Sequence, residues 1–150
     1  MTAPTIDFTR RRCQRLIAEL GELAAHLERT AELIGQQDGF ETQSTILSHN
    51  AQLCLGFRCD LAAAWRLGRP IAVRALPKSK CDLIEVMSWA GMKSRELAGL
   101  AGQLNASRTR ADLAAMHETI VNVHSAVEAA DRRHQAGRTE GPQQREVSNG

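Results

Sequence analysis

The sequence predicts an all-α protein, an antiparallel bundle of four long heptad-patterned helices with a disordered C-terminal tail. Three observations predict it. Apolar residues recur at seven-residue intervals in four separate segments, which places them on one face of a helix. Gly, Pro and capping residues divide those segments. No stretch alternates with the two-residue period of a strand. The chain has 150 residues, of which 43% are apolar and only 3% aromatic. That length suits one domain with a core of its own. With so few rings, the core must come from Leu, Ile, Val, Met and Ala.

The expected domain covers 1–136, with helices about 7–37, 40–67, 80–105 and 109–135. In the first, Cys13, Leu20, Leu27 and Ile34 share one heptad position. Leu16, Leu23 and Thr30 follow three residues later, and Ile17, Ala24 and Ala31 widen the stripe. Thr5 or Asp7 is the expected cap. Asp38 with Glu41 reads as a capping box for the second helix. There Leu47, Cys54 and Leu61 share one position and Asn50, Phe57 and Ala64 another, with Ile46, Leu53 and Leu67 alongside. Asn50 within an apolar stripe needs a partner if buried.

Gly68 to Lys80 reads as a linker, opened by Gly68-Arg69-Pro70 and closed by Pro77-Lys78-Ser79-Lys80. Ser79 with Asp82 resembles a cap for the third helix. That helix carries Leu83, Ala90, Leu97 and Leu104, with Val86 and Leu100 as companions, and Lys93 interrupts them. Gly91, Gly99 and Gly102 admit a close neighbour or mark a weak point. Thr109 with Asp112 is the expected cap of the fourth helix, where Leu113, Ile120 and Val127 alternate with Met116, Val123 and Ala130. Residues 137–150, rich in Gly, Arg, Gln, Pro and Ser, read as a disordered tail.

No run of 18 apolar residues and no signal-peptide pattern is present. The four cysteines, Cys13, Cys54, Cys59 and Cys81, lack paired CxxC spacing. A reducing, cytoplasmic setting is expected. Arginine outnumbers lysine 16 to 3, a bias common in GC-rich bacterial genomes.

Enzyme signatures such as GxSxG, a phosphate loop, GxGxxG and HExxH are absent, and no cofactor is implied. His117 and His124 stand seven apart on one flank of the fourth helix, with Arg110 and Asp131 in the same row. Two helical turns separate the imidazoles by roughly 10 Å, too far to share a metal unaided. They read instead as a polar flank or a dimer contact. Cys13, Cys59 and Cys81 read as small apolar residues rather than a zinc site.

In an up–down–up–down bundle, the start of helix one, the linker and the end of helix four share one end. That end, taken as 1–17, 58–85 and 126–138, holds thirteen basic and six acidic residues, a net of +7 in a chain of net +2. Its expected binding residues are Arg10, Arg11, Arg12, Arg15, Arg69, Arg74, Lys78, Lys80, Arg132 and Arg133. Arg10, Arg11 and Arg12 are placed in the first turn of helix one, against its dipole, so an anionic partner is their expected use.

The leading expectation is therefore a non-enzymatic bundle that binds another protein, as a small bacterial regulator, adaptor or inhibitor, and that forms a homodimer. The alternative is a nucleic-acid-binding accessory protein using the basic end. A metal-binding or enzymatic four-helix bundle stands third. No membrane partner is expected.

Overall fold

A computed structural model describes the backbone of residues 3–76 and 82–149 and the side chains of 9–76 and 82–137. Four helices form: α1 (Ala3–Gly35), α2 (Glu41–Ala64), α3 (Leu83–Gln103) and α4 (Ser107–Asn149). The all-α, four-helix reading holds, and no strand occurs among the described residues.

The stripes read from the sequence are the core. Leu16, Leu20, Leu23, Leu27 and Ile34 of α1 are wholly buried, as are Leu47, Leu97 and Leu113. Each such side chain contributes about 1.5–3 kcal/mol of burial. Gly91 is buried, but a Cβ there would meet Ile120 Cγ2 at 3.6 Å, an ordinary contact, so the α3–α4 packing does not require glycine at this position. Ile46 and Ala64, counted into the stripe of α2, are exposed. Asn50 is buried and its Nδ2 has no partner among the described residues.

Lys93 does not interrupt the core at random. Its ammonium lies 2.9 Å from Glu19 and 3.2 Å from Glu96. Arg15 reaches the same two carboxylates at 3.0 and 2.8 Å. Four alternating charges thus close a ring across α1 and α3, and each carboxylate has two cationic partners.

Several helix ends differ from expectation. α1 begins at Ala3, so Thr5 and Asp7 fall inside it rather than capping it. Phe40 is the N-cap residue of α2 and makes no side-chain cap bond, so the Asp38–Glu41 box does not form. Asp82 itself caps α3, accepting from the Glu85 N–H at 3.3 Å; Ser79 lies outside the described residues. α4 starts at Ser107, which puts Thr109 within its first turn. Its backbone continues to Asn149, while the side chains beyond residue 137, where the tail was expected, lie outside the described residues.

α2 and α3 finish alike. Arg66 and Asn105 adopt positive φ, 53° and 57°. Leu67 N–H then bonds Ala62 O at 2.9 Å and Ala106 N–H bonds Ala101 O at 3.0 Å. Both are Schellman closures, which satisfy the last carbonyls of a helix.

The larger difference is the direction of α3. Ile17 meets Arg58 and Ala31 meets Ser44, so α1 and α2 are antiparallel. Arg15 meets Glu96, Glu19 meets Lys93 and His26 stacks on Trp89, so α1 and α3 are antiparallel too. Gly91 meets His117, and Gly102 meets Arg110. Cys54 Sγ lies 3.6 Å from Met116 Sδ across α2 and α4. Adjacent helices are therefore antiparallel, but the chain order is up–down–down–up.

This order requires the segment between α2 and α3 to travel the length of the bundle. A helix of 24 residues is roughly 36 Å long, and extended chain covers roughly 3.3 Å per residue. Residues 66–76 do this as an irregular strap. The strap passes Gly21, where a Cβ would stand 3.2 Å from Val73 Cγ2, and reaches Arg29 at Leu76.

Candidate functional site: the arginine end and the strap

The crossover redistributes the expected basic end. One end of the bundle collects the start of α1, the finish of α2, the finish of α3 and the start of α4. Arg10, Arg11, Arg12 and Arg69 lie at this end. Arg15 stands one turn further in and is committed to Glu19 and Glu96. Arg74 sits further along the strap, beside Glu22 and His26 of α1. Arg132 and Arg133 are exposed at the opposite end, about 24 residues or roughly 36 Å along α4 from Arg108. Lys78 and Lys80 lie outside the described residues. The expected ten-residue cluster is thus not brought together, because α3 runs in the unexpected direction.

Three arginines take the vacated places. Arg66 closes α2, and Arg108 and Arg110 open α4. All three are exposed, as are Arg10, Arg11 and Arg69, while Arg12 is half-buried. The first turn of α4 carries no acidic residue, and neither does that of α1. Among the described side chains, Asp60 and Asp112 stand nearby, lining one cleft together with Arg108. The arginines that the topology gathers at this end are Arg10, Arg11, Arg12, Arg66, Arg69, Arg108 and Arg110.

Arg10 also corrects the dipole argument. Because α1 starts at Ala3, Arg10 to Arg12 stand about two turns in rather than in the first turn. Arg10 donates to the carbonyls of Trp65 and Arg66, at 3.3 and 3.5 Å. It thereby complements the negative end of α2, a stabilising arrangement.

Of the histidine flank, His117 is hydrogen-bonded within the chain, while His124 Nε2 is buried without a hydrogen-bond partner among the described residues. His117 Nδ1 lies 2.6 Å from Gly91 O, so Nδ1 carries the proton and donates across the α3–α4 interface. His124 Nε2 approaches Glu128 at 3.1 Å in its own helix. Among the described residues no group of three His, Cys, Asp or Glu could hold a metal ion. Cys13 is buried, Cys59 exposed, and Cys81 lies outside the described residues. No described helix is long and apolar enough to cross a membrane.

The strap is held by two buried arginines. Arg58 donates Nε to Ile17 O at 3.1 Å and Nη2 to Ile71 O. Arg29 donates Nη2 to Leu76 O and Nη1 to Glu32. Sequence reading counted Arg58 only as surface charge and passed over Arg29. A signal for Arg58 existed: it lies seven residues after Ala51 and four after Cys54, on the apolar stripe of the second helix. Arg29 had none, since its use depends on where the strap runs.

Comparison with family models, with curated proteins and with solved structures finds no match for this chain.

Proposed function

We propose that this chain is a non-enzymatic interaction protein whose arginine end engages an acidic surface on another protein. The observation that carries this reading is the convergence of seven arginines, from both hairpins and the start of the strap, on one end of the bundle. Arg66 adds to it, because it presents its charge from a backbone conformation that favours glycine. Guanidinium forks suit carboxylates, which they bind through two parallel hydrogen bonds.

The test reverses Arg11, Arg69 and Arg108 to Glu, since all three are exposed and none makes a hydrogen bond or ion pair among the described residues. Partners captured from nuclease-treated lysate by the wild type should be lost by this variant. They should be kept by a control in which Arg132 and Arg133 become Gln. Equal capture by both variants overturns the reading. Affinity for a protein partner should fall gently with salt. A log–log slope steepening by about 0.9 per phosphate contacted identifies nucleic acid as the partner instead.

A further inference from the structure

Burying a guanidinium is costly unless its charge is matched or its donors are saturated. Arg58 is 8% exposed, and the hydrogen bonds described for it go to main-chain carbonyls alone. No carboxylate pairs with it among the described residues. Arg29 is 7% exposed, and its Nε has no acceptor among the described residues. Of the two buried cations beneath the strap, only Arg29 has a carboxylate partner, Glu32.

Space adjoins them. Between the strap and α1 lies a cleft of about 400 Å³, within the range of small-molecule sites. Ala18 and Ala25 of α1 face Ile71 and Val73 of the strap across it. Its polar groups are Arg58, Arg74, His26 and Glu22. His26 Nδ1 lies 2.7 Å from Glu22 O and donates to it. Burial keeps this imidazole neutral near pH 7 by lowering its pKa. The cleft therefore holds two cations against one exposed carboxylate. A second cleft, of about 210 Å³, flanks the strap on the side of α2, shares Ala25, Val73 and Leu76 with the first, and contains Arg29.

We propose that the cleft between the strap and α1 binds a small carboxylate with an apolar tail. The carboxylate pairs with Arg58 and Arg74, and the tail lies against Ala18, Ala25, Ile71 and Val73. A planar carboxylate supplies the counter-charge that Arg58 lacks and matches the guanidinium fork. The apolar walls exclude a small hydrated ion with nothing to bury.

Octanoate, octanol and octylamine are the probes, added to the full chain and followed by calorimetry and amide NMR. Octanoate should bind one site with Kd below about 1 mM. Its shifts should centre on Gly21, Val73 and the Arg58 side chain. Octanol should bind at least tenfold more weakly, and octylamine should not bind. Ala18→Leu fills the cleft from an exposed helical position and should weaken octanoate at least tenfold without lowering Tm. Arg74→Gln, on the exposed strap, should weaken it severalfold. Reversing Arg11, Arg69 and Arg108 should leave it unchanged, which separates this site from the arginine end. The proposal is overturned if octanoate binds no better than octanol, if the shifts centre on the arginine end, or if Ala18→Leu binds octanoate as the wild type does.

Discussion

The guanidinium of Arg58 is joined to the carbonyl of Ile17 by a hydrogen bond of 3.1 Å, so a cation of α2 rests on the backbone of α1. Gly21, one turn further along, makes the room: a Cβ there would lie 3.2 Å from Arg58 Cζ. From this seat Arg58 also reaches Ile71 and fixes the strap.

Arg58→Ala should lower stability by about 2–4 kcal/mol, because charged hydrogen bonds to two carbonyls are lost together with the packing of the stem. Trypsin cleavage at Arg74 should speed up, since the strap loses a tether. Arg58→Met, which keeps the stem and removes the buried charge, should recover part of the stability but leave cleavage fast. Chemical denaturation and timed digestion measure the two effects. Wild-type cleavage rates in both variants would show that Arg58 does not hold the strap.

His26 lies stacked on Trp89, with centroids 3.7 Å apart and planes 18° from parallel. Burial lowers its pKa from the ordinary 6.5, partly offset by the bond to Glu22 O. Well above pH 6.5 the ring is neutral in both states and contributes no pH dependence. As pH falls from 6.5 towards the depressed folded value, the unfolded chain takes up the proton first, so stability falls with pH. His26→Gln should flatten this part of the stability–pH curve. An unchanged slope between pH 6.5 and 5 in the variant would assign it to other groups.

Arg66 ends α2 at φ 53°, in the left-handed region, where a side chain is strained and glycine is not. Arg66→Gly should raise stability by about 0.5–1 kcal/mol, read from the shift of the denaturation midpoint. The carbonyl that accepts from Arg10 survives this change. The same variant should bind the partner of the arginine end more weakly. Gained stability with unaltered binding would remove Arg66 from that surface.

The thiols should separate by burial. Burial pushes Cys54 up to about 12 and raises Cys13 as well, so neither offers thiolate at neutral pH. Cys59 is exposed. In a Cys81→Ser background, one thiol of three should react rapidly with a disulfide reagent at pH 8, and all three should react after unfolding. Rapid reaction of two or three in the folded protein would contradict the packing of α1 against α2.

What the sequence determined by itself is the set of helices and their buried faces. Helical periodicity is local, so Leu16, Leu20, Leu23 and Leu27 declared their face without reference to any other segment. Leu97, Leu113 and Ile120 did the same. The helix ends were less legible. A cap depends on side-chain geometry within one turn, and Asp38 with Glu41 had the right spacing without making the bond.

The tertiary structure alone decided which way α3 runs. An apolar stripe reads the same from either end, and it records that a face is buried but not against which neighbour. The linker was long enough either to turn at the end of α2 or to return along the bundle. Packing chose the second, with Lys93 beside Glu19 and His26 on Trp89. That choice carried Arg132 and Arg133 away from Arg10 and brought Arg108 and Arg110 towards it. It also gave Arg29 and Arg58 a strap to hold. Surface charges at a helix end acquire neighbours only through topology, so the arginine end could be suspected from the sequence, while its membership could not be read there.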